Sequence, residues 1–464
     1  MNLLDRLVSV RPTQNQINWQ DLEFYAFIHY GVNTYTGKEW GNGKEDPAIF
    51  NPTSLDTDQW CEAIAIAGMR AVIITAKHHD GFCLFESKFT NHTVIHSPYG
   101  KDIVAELAES CRKFDLKLGI YLSPWDQHDH RYGTGDDYND FFCNQLTELM
   151  SNYGELFCLW FDGACGEGPN GKIQVYDWER YFALIRKMMP NAVIASIGPD
   201  VRWCGNEAGV CRDSEFSVVP TAMANIKMIQ EMSQQEEGAD FATIVVERCV
   251  EDIGSREVLK DINDLCWYPA EVDYSIRPGW FYHAKEDKKV HSLERLKTVY
   301  LQSVGGNAAF LLNIPPNKEG LVHENDKKRL ADLGAWIKES FSTNLLKSAT
   351  FTASDTENGF NATDINQGTW KSKEDSETPW IEVTAAQPIT PKYLILQEDI
   401  SFSQRIEGFK LCCFENNSWR EVCTGTVVGH KRISPIEKQA TSNKWRLEIT
   451  SCRKGATLKT FWFC

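Results

Sequence analysis

Across its first 340 residues this 464-residue chain alternates two periods, and few folds accept that alternation. Short apolar, β-rich runs close on polar or aromatic residues, a loop follows, and a stretch of helical spacing comes next. The runs are EFYAFIHYG (23–31), RAVIITAKHHDG (70–81), LKLGIYLSPW (116–125), LFCLWFDGA (156–164) and AVIASIGPD (192–200). Between them, DIVAELAESCRKF (102–114) sets Val104, Leu107, Ala108 and Cys111 on one face, and WERYFALIRKMM (178–189) is a second helical stretch. Strand alternating with helix implies a parallel sheet covered by helices. Starts at 23, 70, 116, 156 and 192 lie 47, 46, 40 and 36 residues apart, so each unit carries a generous loop.

Two α/β architectures fit: a closed (β/α)8-type (TIM-like) barrel or an open doubly wound sheet. No GxGxxG or P-loop follows any run, which removes the usual nucleotide-binding reason for the open sheet. Reactive-looking residues end several different strands, as in barrels whose chemistry collects at the C-terminal rim. The barrel is favoured. The segment 293–317 reads as a helix and a final apolar strand. ENDKKRLADLGAWIKESF (324–341) follows as an amphipathic helix, with Leu330, Leu333, Trp336 and Ile337 on one face. After Phe341 the texture changes. Residues 342–464 show short alternating runs (WIEV, YLILQ, GFKLCCF, WRLEI, KTFWF) between Asn, Ser, Gly and Pro clusters, the signature of an all-β sandwich. The division is therefore a catalytic barrel over 1–341 and a sandwich over 342–464.

Composition narrows the function classes. At roughly 150 residues per domain the length suits one large barrel plus a smaller unit. Hydrophobic residues make up 42% and charged residues 24%, which argues against extensive disorder. Mean hydropathy is −0.38, and no apolar run reaches the roughly 18 residues of a membrane span, so no membrane partner is expected. Lys and Arg number 48 against 64 Asp and Glu, a net charge of −16, which repels phosphate backbones and makes nucleic acid a poor partner. Fifteen scattered cysteines form no CxxC pair, and contexts such as those of Cys158 and Cys412 are apolar. They read as small buried hydrophobes in a reducing compartment. Asp5 and Arg6 stand where a secretory leader would place its apolar stretch, so the expected location is cytoplasmic, or exported if a leader was trimmed.

Chemistry is carried by the ends of the runs. Asp162 closes LFCLWFDG and either caps a turn, as Asp-Gly pairs do, or presents a carboxylate at the rim. His78, His79 and Asp80 follow the second strand, and His29 ends the first. Neighbouring strand residues point to opposite faces, so KHHD suits hydroxyl recognition or structural histidines better than one metal ion. Glu39 and Trp40 sit in a glycine-flanked first loop, and Trp125 and Trp280 repeat the loop tryptophan. An aromatic face against a ligand and a ring folded back on the core both fit. Glu207, in WCGNEAG after the fifth strand, is either a solvated loop acid or a carboxyl desolvated beside Trp203, whose protonated form burial favours. Two rim carboxylates, histidines and tryptophans, without a nucleophilic Ser or Cys motif or a cofactor fingerprint, are basic equipment for glycoside hydrolysis. A rival from another class is a metal-dependent barrel hydrolase with His78, His79 and Asp162 as ligands. A third is a catalytically dead, lectin-like binder.

FIHYG, GKEWG, KHHDGFCLF, YLSPW and LWFDGA, in this order over about residues 20–315, resemble the α-L-fucosidases of glycoside hydrolase family 29. The resemblance implies retaining hydrolysis of a fucosylated oligosaccharide without a cofactor or metal. Asp162 matches the nucleophile. His29, Glu39, Trp40, His78, His79 and Tyr121 match positions lining the fucose pocket, and Trp280 the wall against the sugar's methyl-bearing face. VRWCGNEAG resembles the branch that cleaves α-1,3- and α-1,4-linked fucose from branched, Lewis-type glycans, where the matching Glu207 is the acid/base, 45 residues after Asp162. In that branch Trp267, Glu271 and Asp273 stand where a neighbouring galactose would bind. The tail resembles a discoidin-like, carbohydrate-binding-module-like sandwich, which either packs on the barrel or binds glycans.

Overall fold

A computed structural model gives the fold, described over residues 2–233 and 251–464. Eight parallel strands form one sheet: β1 (Phe24–Ile28), β2 (Ala71–Lys77), β3 (Lys117–Leu122), β4 (Leu156–Phe161), β5 (Val193–Ser196), β6 (Arg202–Trp203), β7 (Ala270–Ser275) and β8 (Ala308–Asn313). Their order is β5-β4-β3-β2-β1-β8-β7-β6, and a parallel bridge from Ala195 to Val201 draws the two ends together into a near-closed barrel. Phe24 lies opposite Phe310 and Ala26 opposite Val72. The α/β barrel expected from the alternating periods is the one observed.

Both faces of each strand are buried, as in other parallel sheets. Residues of one parity (Tyr25, Phe27, Ile73, Tyr121, Cys158, Trp160, Ala195 and Leu311) fill the barrel interior with Trp19. The other parity (Ala26, Val72, Ile74, Ile120, Leu159 and Phe310) packs outward in the larger core shared with the helices. Helix Ile103–Lys113 shows the local logic. Asp102 caps it by accepting from Ala105 N at 2.8 Å, Ile103, Val104, Leu107, Ala108 and Cys111 are buried, and Arg112 and Lys113 sit at the negative end of the dipole. Each fully buried Leu or Val there contributes about 1.5–3 kcal/mol.

One quadrant departs from the repeat. Residues 197–201 alone join β5 to β6, and no helix intervenes. Ser196 adopts φ 61°, Asp200 takes the Ile194 N–H at 2.7 Å and pairs with Arg186, and a Cβ on Gly198 would stand 2.5 Å from Ile194 O. The turn therefore closes too tightly for a helix. Glu207 consequently follows the sixth strand, not the fifth, a correction to the sequence reading. A strand of two residues carries no detectable period. Between β6 and β7 lie helix Ile226–Met232 and an antiparallel ribbon of Val218–Pro220 with Leu265–Trp267.

Beyond helix Glu324–Phe341 the chain is antiparallel β. Five strands run in the order Thr350–Ala353, Trp380–Ile389, Ser442–Cys452, Ile406–Glu415 and Ser418–Gly425, and three in the order Arg432–Pro435, Tyr393–Gln397 and Thr460–Phe463. Trp445, Leu447 and Ile449 alternate inward against Phe461 and Phe463, while Arg446 and Glu448 lie between them on the other face. Ten of the fourteen described cysteines are buried. No helix among the described residues is long and apolar enough to cross a membrane.

Candidate active site

The strands deliver their C-terminal residues into one pocket. His29 follows β1, His78 and His79 follow β2, Tyr121 lies on β3, Trp160 on β4 with Asp162 just beyond, Trp203 on β6 and Asp273 on β7. Loops add Glu39, Trp40, Glu207 and Trp280. Ten of the twelve residues that the resemblance assigns to the site line this cavity, Asp162 and Glu207 among them.

Asp162 is fixed from two sides. Its Oδ1 accepts from Ala164 N at 2.8 Å, and its Oδ2 accepts from the Tyr121 hydroxyl at 3.0 Å. The side chain keeps 27% exposure, so one face remains open to the pocket. His79 Nε2 stands 3.7 Å from Oδ2, beyond hydrogen-bond range. Glu207 sits in a turn built by Asn206, whose Oδ1 accepts from Ala208 N and Val210 N and whose amide donates to Val210 O. Gly205 and Gly209 have φ +100° and +68°, backbone that side-chain-bearing residues resist. Arg295 donates to Ala208 O and ties the turn to helix Leu293–Ser303. Burial pushes the Glu207 carboxyl up to about 7. The Trp280 indole, donating at 3.0 Å, opposes that shift, and Asp162 and Glu39 add to it.

The histidines are neutral, and hydrogen bonds fix the tautomers of His29 and His79. Asn313 donates to Trp280 O and Ser275 Oγ, so its Oδ1 faces His29 and accepts from Nδ1–H at 2.9 Å, leaving Nε2 an acceptor. Burial lowers His29 to about 3. The Asn33 amide donates to Glu39 O at 3.2 Å and Asp80 Oδ2 at 2.9 Å and lies 3.5 Å from His78 Nδ1, and burial with the neighbouring His79 and His29 holds His78 well below the usual value. His79 Nδ1 faces Ser123 Oγ at 2.7 Å, whose own proton goes to Trp125 O. Neutral imidazoles side by side suit sugar hydroxyls, which both donate and accept.

Glu39 binds protein with both oxygens: Oε2 accepts from Trp280 N at 2.9 Å and Oε1 meets His283 Nε2 at 2.8 Å. It thereby joins the first loop to the loop carrying Trp280. The Trp40 ring stands edge-on to Trp125 at 5.6 Å, and Trp280 tilts over His29 at 5.0 Å.

Two expectations are corrected. Trp267 lies on the ribbon, donates to Gln20 at 3.1 Å and packs with Leu7, Val218, Leu259 and Ile400, away from the pocket. Glu271 is wholly buried and bonded to Tyr25 and Trp160 instead of lining the cavity. Asp273 does line it, with Trp203 donating to its Oδ1 at 2.6 Å. The metal-hydrolase rival needs His78, His79 and Asp162 to converge on one ion, and among the described residues no group of three His, Cys, Asp or Glu is so arranged. Sequence reasoning passed over Phe27, Trp160 and Trp203 as lining residues. Trp160 carried a usable signal, being two residues before Asp162 and so on the same strand face.

A parallel barrel with two carboxylates, neutral imidazoles and tryptophan walls converging at its C-terminal mouth is a barrel glycoside hydrolase. The chain belongs to the α-L-fucosidase family, whose model matches residues 7–340. Alpha-L-fucosidase 1 of Arabidopsis thaliana is 37% identical over 95% of this chain and 85% of its own length. The crystal structure of a candidate α-L-fucosidase from Bacteroides ovatus is 42% identical with TM-score 0.84, over 99% of this chain and 75% of that one. A family 29 fucosidase of Ruminococcus gnavus, solved in complex with fucose, is 27% identical with TM-score 0.83, over 98% and 94%. The activity is that of an α-L-fucosidase acting on fucosylated substrates.

Proposed function

We propose that this pocket releases α-1,3- or α-1,4-linked fucose from branched, Lewis-type glycans by double displacement, with Asp162 as nucleophile and Glu207 as acid/base. One observation carries the reading: Asp162, steadied by Tyr121 and Ala164, shares a cavity with a carboxyl that burial keeps protonated up to about pH 7. Asp162 attacks the anomeric carbon as Glu207 gives its proton to the leaving oxygen. The ester that forms removes the negative charge on Asp162, so the Glu207 pKa falls and Glu207 can take a proton from the incoming water. Retention calls for carboxyl groups about 5–5.5 Å apart. His29, His78 and His79 recognise ring hydroxyls, Trp280 and Trp40 form walls, and the discoidin-like sandwich serves by packing on the barrel.

Three measurements test this. Asp162→Asn turns over at a small fraction of the wild-type rate, and wild-type-like turnover removes it from the nucleophile role. With Glu207→Gln, azide restores turnover of an activated aryl fucoside, and absence of rescue removes Glu207 from the acid/base role. Fucose is released from a Lewis-type trisaccharide faster than from an α-1,2-linked one, and the reverse order refutes the linkage assignment.

A further inference from the structure

Strand β7 turns Glu271 and Asp273 to the same side, into the barrel, while Val272 and Tyr274 pack outward. Each of the two acids accepts from the indole of a pocket wall. Trp160 Nε1 donates to Glu271 Oε1 at 2.6 Å, and Trp203 Nε1 donates to Asp273 Oδ1 at 2.6 Å. The other Glu271 oxygen accepts from the Tyr25 hydroxyl, whose oxygen already takes the Trp19 N–H at 3.0 Å. Both oxygens of Glu271 are therefore committed as acceptors, at zero exposure, and no cation pairs with it among the described residues. A buried carboxylate in that position costs stability, and filling the space with Leu would be cheaper.

The arrangement has a consequence one ring further on. Trp160 stacks on Tyr121 with centroids 5.4 Å apart and planes 22° from parallel, and Tyr121 is the residue that donates to Asp162. An indole has one polar handle, its N–H. A fixed acceptor for that handle selects one rotamer and one ring plane. We propose that Glu271 and Asp273 are positioning residues that hold the indoles of Trp160 and Trp203, and with them the walls of the sugar pocket, in one orientation. The proposal rests on reading the pocket as a fucose site, and it assigns a role to Glu271, which lies beneath the pocket and touches no substrate.

The test is a double-mutant cycle on the full chain, read by L-fucose binding in calorimetry, with thermal melting to verify folding. Trp160→Phe and Glu271→Leu each weaken binding about tenfold, and Glu271→Leu placed on Trp160→Phe weakens it further by less than about twofold, because the group it served is gone. A full second loss in the Trp160→Phe background overturns the proposal. Should Glu271→Leu not fold, Glu271→Met, which fills the space but offers the indole no comparable acceptor, goes through the same cycle. For Asp273 the conservative variant discriminates. Asp273→Asn still accepts from Trp203 and stays within about threefold of wild type, whereas Asp273→Leu loses about tenfold; equal losses overturn its part. The same cycle read in near-ultraviolet circular dichroism of the ligand-free protein needs no sugar. A wild type that does not bind L-fucose would thus refute the fucose reading alone, and coupling between Glu271 and Trp160 would still be read.

Discussion

At the scale of single residues, the reaction turns on one proton. Burial raises Glu207 to about 7, so its acid form is abundant below that pH and is lost as pH rises through it. For a glycan, whose leaving oxygen needs protonation, kcat/KM therefore falls on the alkaline side with an inflection near pH 7. Burial also brings Glu271 to about 7, so the profile alone does not name the group. Repeating it with Glu207→Gln and an aryl fucoside of low leaving-group pKa does. The inflection disappears if it belongs to Glu207, and its persistence assigns it to another acid. Asp162, His29 and His78 were legible because each ends or closes a long apolar run, where the barrel rim must lie, whereas Tyr121 came only with the family resemblance. Glu271 and Asp273 were not separable in the sequence. They have the same parity, and only depth distinguishes them: two residues of strand rise, about 6–7 Å, set one in the pocket and the other beneath it. Trp267 misled for a related reason. An aromatic three residues before a strand looks the same whether its loop faces the rim or, as here, a hydrophobic cluster beside Leu7.

At the scale of elements, the loop carrying Trp280 needs an anchor, and its base supplies one. Arg277 is fully buried, donates to Asp326 at 2.7 Å and to Asp287 at 3.0 Å, and lies over the Tyr282 ring at 4.6 Å. Asp326, also fully buried, belongs to the first turn of helix Glu324–Phe341. The pair thus binds a pocket loop to the helix that follows β8. Arg277→Met leaves the Asp326 carboxylate buried without its cation and should lower the unfolding free energy by about 3–5 kcal/mol. Adding Asp326→Leu should recover most of that loss, since removing both partners spares the lone charge. Denaturant melts of the two variants check this, and equal stability of single and double variants would contradict it. Four helices and strands β1 to β5 and β8 were readable as periods of 3.6 and as continuous apolar runs, whereas β7 was not read. The two-residue β6 was not either, and with it went the placement of Trp203. Its position is set by tertiary pairing, Arg202 opposite Ala270 and Trp203 opposite Glu271, which no local pattern encodes.

At the scale of the whole molecule, the sandwich takes hold of the segment that follows the Glu207 turn. Gln404 accepts from Ser217 N at 2.8 Å and donates to Glu215 O, and Thr426 and Arg432 donate to Asp213 O at 2.6 and 3.0 Å. Glu215 in turn pairs with Arg202, the residue before the pocket wall Trp203. Lys431 pairs with Glu23 at 2.6 Å at the foot of β1, and Ile395 and Ile433 belong to the barrel's own hydrophobic core. A module tethered only to bring glycans near would share neither core nor buried backbone bonds with its neighbour. Ending the chain after Phe341 should therefore cost more than glycan affinity. It uncovers Ile433's apolar partners in the barrel, at about 25 cal/mol per Å² exposed, and strips residues 213–217 of the hydrogen-bond partners that order them. The expected product is a barrel that aggregates or melts well below the full chain and has lost its kcat. Measured side by side, a soluble barrel with the parent's melting temperature and its full kcat on an aryl fucoside would show that the two parts are independent and that the sandwich's contacts are incidental.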